Sequence, residues 1–473
     1  MMGSVPVPQI DSRDAAVGFL DARIGHGVRP GLERIEGILD FLAEPQGQYP
    51  IIHIAGTNGK TTVSRIVDAI LGAHGLRTGV FTSPHLHRVE ERFQLDGRVV
   101  ADERFVAAVR EIAWVVEEYE RRSGELVTYF ELTAVLALSL FAEEAVDVAI
   151  IEVGMGGRWD ASNVVQAAVS AITGISLDHT AHLGDSIGEI AAEKAAILKE
   201  DGLLVTGRLP AAAEGAVTAQ VAQTGARWIR EGADFSVAEA VQAVGGWRAT
   251  IDGVFSTYDD LYLPLHGSHQ VDHLATSIAI CEMFLDRPLD QDLIAAASAA
   301  VTSPGRLEVA GHQPLVLLDG AHNEEGFRGL AQTLDEEFPR RRWQLVVGIR
   351  GDRDVEALLK PLQGLVEAVW ATQADDPASV PAEEVAVVAA LVLGVEVIAV
   401  NTVPEAVTRA TAAAGAEGAV VVAGSLYVVG EARSIFIGDD LRPSGVHVRY
   451  EVDAGDDADE DEEGFSGEYD PEF

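Results

Sequence analysis

The residues best suited to chemistry lie in Gly56-Thr57-Asn58-Gly59-Lys60-Thr61. Two glycines let backbone N–H groups turn toward an anion, and a helix starting at the lysine adds its partial positive charge. In such a loop Lys60 reaches the outer phosphates of a nucleotide, and the Thr61 hydroxyl faces Mg2+. The general nucleotide loop opens with a further glycine where this chain has Ile54, so the loop is a shortened variant. The alternative is a bare glycine turn; the apolar strand Ile51-Ile52-His53-Ile54 just ahead favours phosphate binding.

Three further segments place polar groups at the ends of apolar runs. Glu152 closes Val148-Ala149-Ile150-Ile151 and precedes Gly154-Met155-Gly156-Gly157-Arg158. A carboxylate in an apolar strand is costly to bury without a cation; Mg2+ is the expected partner, and an ion pair with Arg158 is the alternative. Asp178-His179 follows another apolar run, with His182 close by. His179 either ligates metal or caps the turn, and its company favours metal. Leu315-Val316-Leu317-Leu318 ends in Asp319, followed by Gly320-Ala321-His322-Asn323, where Asn323 can also cap a helix. Glu193-Lys194 sits in a helical stretch, where a solvated face is the default.

These groups need elements that bring strand ends together. Strands are expected at 51–54, 79–81, 146–153 and 169–175, and helices at 30–42, 61–73, 105–121, 130–143 and 187–199. Their alternation implies a mainly parallel sheet covered by helices, which binds ligands at its C-terminal strand ends. From about 227 to 265 the pattern changes to short strands, a small antiparallel element, before helix returns at 269–284. Thr302-Ser303-Pro304-Gly305 reads as a joint. Beyond it a second series of strands follows at 315–318, 345–347, 368–371, 395–400 and 419–422. The fold class is α/β: an N-terminal P-loop ATPase-type parallel sheet with helices on both faces (1–303), then a smaller C-terminal Rossmann-like α/β domain (304–450). An acidic, solvating tail is expected over 451–473.

The chain has 473 residues, with 34 Lys and Arg against 75 Asp and Glu, a formal net charge of −41. Such a field argues against nucleic acid or an anionic membrane as partner, and it requires any anion site to be built locally. Only four lysines occur, Lys60, Lys194, Lys199 and Lys360; either this is chance, or Lys60 in the glycine loop and Lys194 in the Glu-Lys pair stand where an amine rather than a guanidinium is needed. The single cysteine, Cys281, forms no internal disulfide and suits a reducing, cytoplasmic setting. There is no signal-peptide pattern and no apolar run long enough to span a bilayer.

In order along the chain, the segments resemble the bifunctional dihydrofolate synthase/folylpolyglutamate synthase family, a branch of the Mur ligases. They begin with Pro30-Gly31-Leu32-Glu33-Arg34, the Gly56–Lys60 loop, Thr82-Ser83-Pro84-His85-Leu86 with Glu91-Arg92, and Phe130-Glu131-Leu132-Thr133. Next come Glu152 through Asn163, Asp178-His179 with Leu183-Gly184, and Ile190 through Ala195. Pro304-Gly305-Arg306, Asp319 through Asn323 and Gly424-Ser425 complete the series.

The resemblance implies ATP, glutamate and a folate or dihydropteroate as substrates, two Mg2+ sites and a monomer. By matching positions it implies ATP contacts from Thr57, Asn58, Gly59, Lys60, Thr61, His273, Arg306 and Asp319. Thr61, Ser83, Glu152 and His179 match magnesium ligands, and Lys194 a carbamylated lysine at a second metal. Lys60, Lys194 and His322 match catalytic positions, His322 near the transferred phosphate. Thr128, Tyr129, Phe130, Glu131, Trp159, Asp160 and Ala161 match segments lining the pterin site. The departures are Lys60-Thr61-Thr62, an ending shared with cell-wall Mur ligases, His273 for an asparagine, Glu324 for a proline and Ala196 for a glycine. Two other functions compete with a folate ligase: an amide ligase of the same superfamily with another acceptor, and a silent nucleotide sensor.

Overall fold

The computed structural model describes residues 9–437 except 28 and 352. The acidic tail expected at 451–473, and the last residues of the expected second domain, lie outside them.

Among the described residues the first sheet has eight strands. In spatial order they are Arg98–Val99, Phe93–Leu95, Thr78–Phe81, Val148–Glu152, Ile51–Ala55, Val169–Ile172, Leu203–Thr206 and Arg227–Arg230. The six from Thr78–Phe81 onward run parallel, and the first two add an antiparallel edge. Ile51–Ala55 is central, flanked by Val148–Glu152 and Val169–Ile172, so their C-terminal ends deliver the phosphate loop, Glu152 and the Thr173–Asp178 loop to one edge. Both faces are buried, as parallel sheets require. Ile51, Phe81 and Ile151 face the helices Arg13–Asp21, Glu33–Phe41, Asp102–Ser123 and Tyr129–Glu143. Ile52, Ile54 and Ile150 face Lys60–Ala73, His269–Leu285 and Gln291–Ala300.

The small antiparallel element is present but starts later than expected. Arg227–Arg230 joins the main sheet in parallel, and the separate sheet contains only Thr257–Leu263, Gly246–Asp252 and Ser236–Ala243. Its Arg-Trp-Ile-Arg sequence reads as polar because it is an edge strand with only Ile229 buried. The helix expected to reach Lys199 stops at Ala195, and the strand expected to reach Ile175 stops at Ile172. The strand Leu203–Thr206 and the helix Ala211–Thr224 were not anticipated.

Among the described residues the second sheet has six strands, in the order Glu308–His312, Leu315–Leu318, Ala419–Ala423, Trp343–Val347, Val366–Ala371 and Glu396–Ala399. All are parallel except the first, which folds back antiparallel on Leu315–Leu318 directly after the joint. Among the described residues no helix is long and apolar enough to cross a membrane.

Candidate active site

The phosphate loop is shaped by its glycines. Gly59 sits at φ +83°, and a Cβ there would collide with the His273 ring; one on Gly56 would collide with the Thr173 hydroxyl. The left-handed conformation and the close approach both demand glycine at 59. Burial lowers the His273 pKa to about 3, so a neutral imidazole underlies the loop. Lys60 Nζ donates to the carbonyls of Gly56 (2.9 Å) and Thr57 (3.3 Å), which arches its chain over the loop. The Thr57 hydroxyl donates to Ser176 O at 3.1 Å, and Thr173 Oγ1 donates to Asn58 O at 2.6 Å. The neighbouring strand thus holds the loop open.

Glu152 is buried beside it. The Thr61 hydroxyl lies 3.0 and 3.1 Å from its two carboxylate oxygens, and the Ser83 backbone N–H also donates to it. Burial raises its pKa; Lys60, Thr61 and Arg306 oppose that rise. The Arg158 pairing considered from sequence does not form: Arg158 bonds Glu193 at 2.9 Å. Glu152 therefore meets hydroxyl, amide and more distant cationic groups, a setting that fits a hard divalent ion.

Lys194 comes from the opposite side and is buried, not on a solvated face. Its Nζ donates to Gly56 O at 3.0 Å, and burial, then the charge of Lys60, lowers its pKa to about 7. Much of it is therefore a neutral amine near neutrality. His179 takes a left-handed backbone (φ 50°) at the start of the helical turn Thr180–Leu183. Desolvation in the cleft, with the positive neighbours Arg353, His322 and Lys60, lowers its pKa to about 4, leaving a neutral ring. Among the described residues no three His, Cys, Asp or Glu side chains form a ready metal cluster. The candidate ligand set relies on the hydroxyls of Thr61 and Ser83 and on Lys194.

The second sheet reaches into this edge through Asp178. Its carboxylate receives Asn323 Nδ2 at 2.9 Å and Arg353 Nη1 at 2.5 Å, and His322 Nε2 lies 3.4 Å away. Against the effect of burial, His322, His179 and Arg353 hold Asp178 well below the usual carboxylate range. Asn323 also pairs with Asn58 of the phosphate loop. Arg353 escaped the sequence reading, although it follows the strand Trp343–Val347 at the same ligand edge.

Arg306 packs against Gly320, where any Cβ would strike its guanidinium. Asp319 accepts from the backbone of Leu307 and Ala321, both at 2.9 Å, so its carboxylate braces the joint. Thr62 meets Ser303 at 3.1 Å. The Lys60-Thr61-Thr62 ending thereby ties the loop helix to the joint, which gives it a structural role independent of the acceptor.

The residues expected around a pterin divide into two groups. Thr128 and Glu131 form a reciprocal cap on the helix Tyr129–Glu143, and Arg34 adds a 2.9 Å bond to Glu131. The Asp160 carboxylate accepts from Met155 N and Ser162 N, both at 2.9 Å, and folds the glycine segment back. Ala161 is buried, and Tyr129 lies under the Arg92 guanidinium. Phe130 covers Gly154, and Trp159 is 53% exposed, leaving these two aromatic side chains to offer surface.

The comparisons with known proteins fit this geometry. Residues 54–280 match the Mur ligase middle domain, and residues 305–426 match the Mur ligase glutamate ligase domain. The dihydrofolate synthase/folylpolyglutamate synthase of Mycobacterium tuberculosis is 38% identical over 467 residues, covering 92% of this chain and 96% of its own length. The chain belongs to the dihydrofolate synthase/folylpolyglutamate synthase family. The folylpolyglutamate synthase of Lacticaseibacillus casei is 36% identical, with 71% of this chain and 79% of that one covered. In structure, the M. tuberculosis folylpolyglutamate synthase complexed with ADP and AMPPCP superposes with a TM-score of 0.86 at 38% identity, covering 90% of this chain and 99% of that one. A folylpolyglutamate synthase complex with AMPPCP and folate gives 0.77 at 32% identity, over 90% and 100%. Family membership accounts for the two-sheet α/β architecture read from the sequence.

Proposed function

We propose that the enzyme uses ATP to activate the carboxylate of a dihydropteroate or a reduced folate and joins it to L-glutamate. The observation that carries this reading is the meeting of the phosphate loop, with Lys60 and the Thr61–Glu152 contact, and the Asn323–Asp178–Arg353 bridge from the second sheet. One sheet offers a phosphate site, and the other closes over it. The nucleotide and folate complexes of the relatives support the same assignment.

The acceptor carboxylate attacks the γ-phosphorus in line. The new O–P bond forms as the bond to ADP breaks, giving an acyl phosphate. Lys60 and Arg306 offset charge on the transferring oxygens, and His322 faces the same region from the second sheet. Closure of the sheets excludes water from the anhydride. The glutamate amine then attacks the carbonyl carbon, phosphate departs with the C–O bond electrons, and the amine loses its proton.

Thr61, Ser83, Glu152 and His179 would hold Mg2+, and Lys194, as a carbamate formed from CO2 by its neutral amine, would be a ligand to a second ion; these ions would supply Lewis-acid charge neutralisation. Phe130 and Trp159 are the aromatic surface we assign to the pterin. The working units are residues 1–303 and 304–450, hinged at Thr302–Gly305, acting as a cytoplasmic monomer. The buried Cys281 thiol suits that compartment.

The test is ADP release with ATP, Mg2+ and glutamate, adding dihydropteroate, tetrahydrofolate or a UDP-muramoyl substrate in separate reactions. Turnover with both pteridine acceptors supports a bifunctional enzyme, and turnover with tetrahydrofolate alone narrows it to polyglutamylation. Turnover only with the UDP substrate would overturn the folate assignment.

A further inference from the structure

Asn323 occupies a position that its role as a helix cap does not exhaust. It is 2% exposed and begins the helix Glu324–Glu337 immediately after His322. Its Oδ1 accepts Gly326 N at 2.9 Å, the ordinary cap bond. The same amide faces the first sheet. Oδ1 also accepts Asn58 Nδ2 at 3.2 Å, while Nδ2 donates to Asn58 Oδ1 at 3.0 Å and to Asp178 Oδ2 at 2.9 Å. One buried side chain therefore joins three things: the phosphate loop, the carboxylate beside His179, and the helix that carries His322 at its entrance.

A cap alone needs only an acceptor, which serine or aspartate supplies equally well. The three bonds to the first sheet need a donor and an acceptor on one planar group, which an amide has and a carboxylate or hydroxyl of that shape does not. Aspartate here would turn an acceptor toward the Asp178 carboxylate and toward Asn58 Oδ1.

We infer that Asn323 is a positioning residue for phosphoryl transfer: its amide registers the second sheet on the phosphate loop and so sets the distance from His322 to the reacting phosphate. The inference rests on the ligase reading above. It separates alignment from nucleotide binding, because within the loop Asn323 bonds only the side chain of Asn58, while Thr173 Oγ1 and Ser176 O hold the loop from within the first sheet.

The test compares Asn323→Ser and Asn323→Asp, which keep the cap, with the double variant Asn323→Asp/Asp178→Asn, which exchanges donor and acceptor across the interface. The expected result for the serine variant is a small fall in melting temperature, since the cap is kept while the bonds to Asn58 and Asp178 are lost, and a KM for ATP within about twofold of wild type. The kcat should fall by about 10- to 100-fold, the scale of a misplacement of about 1 Å. The double variant should recover part of the loss seen in Asn323→Asp. Hydrogen exchange on the same proteins should rise over 56–60 and 178–183 in Asn323→Ser, with 324–327 as protected as in wild type. A kcat that tracks melting temperature across the variants, a wild-type kcat in Asn323→Asp, or exchange that rises only in 324–327 would overturn the inference. The exchange experiment needs no acceptor, so it judges Asn323 even if wild type turns over none of the folates, a failure that would fall on the ligase reading alone.

Discussion

Replacing Glu152 by glutamine should separate stability from activity. The carboxylate is 1% exposed, and its pKa is raised by burial. Among the described residues no salt bridge reaches it; its near neighbours are the Thr61 hydroxyl and the Ser83 amide. A buried carboxylate without a bonded cation carries a desolvation penalty that an amide of the same shape avoids. Relief of roughly 1 kcal/mol is a conservative share of that penalty. For a chain of this length it corresponds to a rise of about 1–2 °C in melting temperature measured without divalent metal. The amide cannot supply the charge that a hard cation requires, so the Mg2+ concentration for half-maximal ATP turnover should rise by at least about 100-fold, beyond the effect of losing an outer-shell contact. Scanning calorimetry in chelator and Mg2+ titration of ADP release read the two effects separately. A lower melting temperature with an unchanged Mg2+ requirement would refute the reasoning, because Glu152 would then be a structural carboxylate satisfied by its protein partners.

Other outcomes follow from the same contacts. The His273 pKa is lowered by burial to about 3, so the unfolded chain takes up a proton below about pH 6.5 that the folded one refuses. Stability tied to His273 is therefore intact above that pH and falls by up to about 1.4 kcal/mol per unit as pH drops toward 3. His273→Asn should flatten the slope of melting temperature between pH 6.5 and 4.5 relative to wild type. The Glu337 carboxylate, 2% exposed, receives Trp247 Nε1 (3.0 Å), His266 Nδ1 (2.7 Å) and Gly267 N (2.5 Å). Glu337→Ala strands those groups and should cost about 2–4 kcal/mol in chemical denaturation. With a net charge of −41, self-repulsion weakens the compact state, so the melting temperature should climb between 0.05 and 1 M KCl as the screening length shortens from above about 10 Å to about 3 Å.

The parts legible in the sequence were those encoded locally. The strand, glycine loop and helix around Lys60 are contiguous, and Glu152 and Asp319 declared themselves as carboxylates ending apolar strands. Lys194 was visible as a rare lysine, but the reason for an amine, burial against Gly56 O beside Lys60, is tertiary. The bridge that closes the site was hidden, since Asn58 and Asn323 lie 265 residues apart and Asp178 and Arg353 lie 175 apart. Neither pair has a local pattern. Arg158 shows the converse case: sequence proximity suggested Glu152 as its partner, while the fold carries it to Glu193. Glu131 and Asp160, matched to a pterin site by resemblance, occupy their carboxylates with a helix cap and a loop backbone. Which polar atoms remain for a ligand is settled only once every backbone donor has found its partner.

The central claim is that the acceptor carboxylate becomes an acyl phosphate before glutamate attacks. The direct measurement is the fate of oxygen-18 placed in that carboxylate, followed by mass spectrometry of the inorganic phosphate released with ATP, Mg2+ and glutamate. The account predicts that one labelled oxygen from the carboxylate appears in each phosphate formed along with an amide bond. Amide formation with unlabelled phosphate would contradict it.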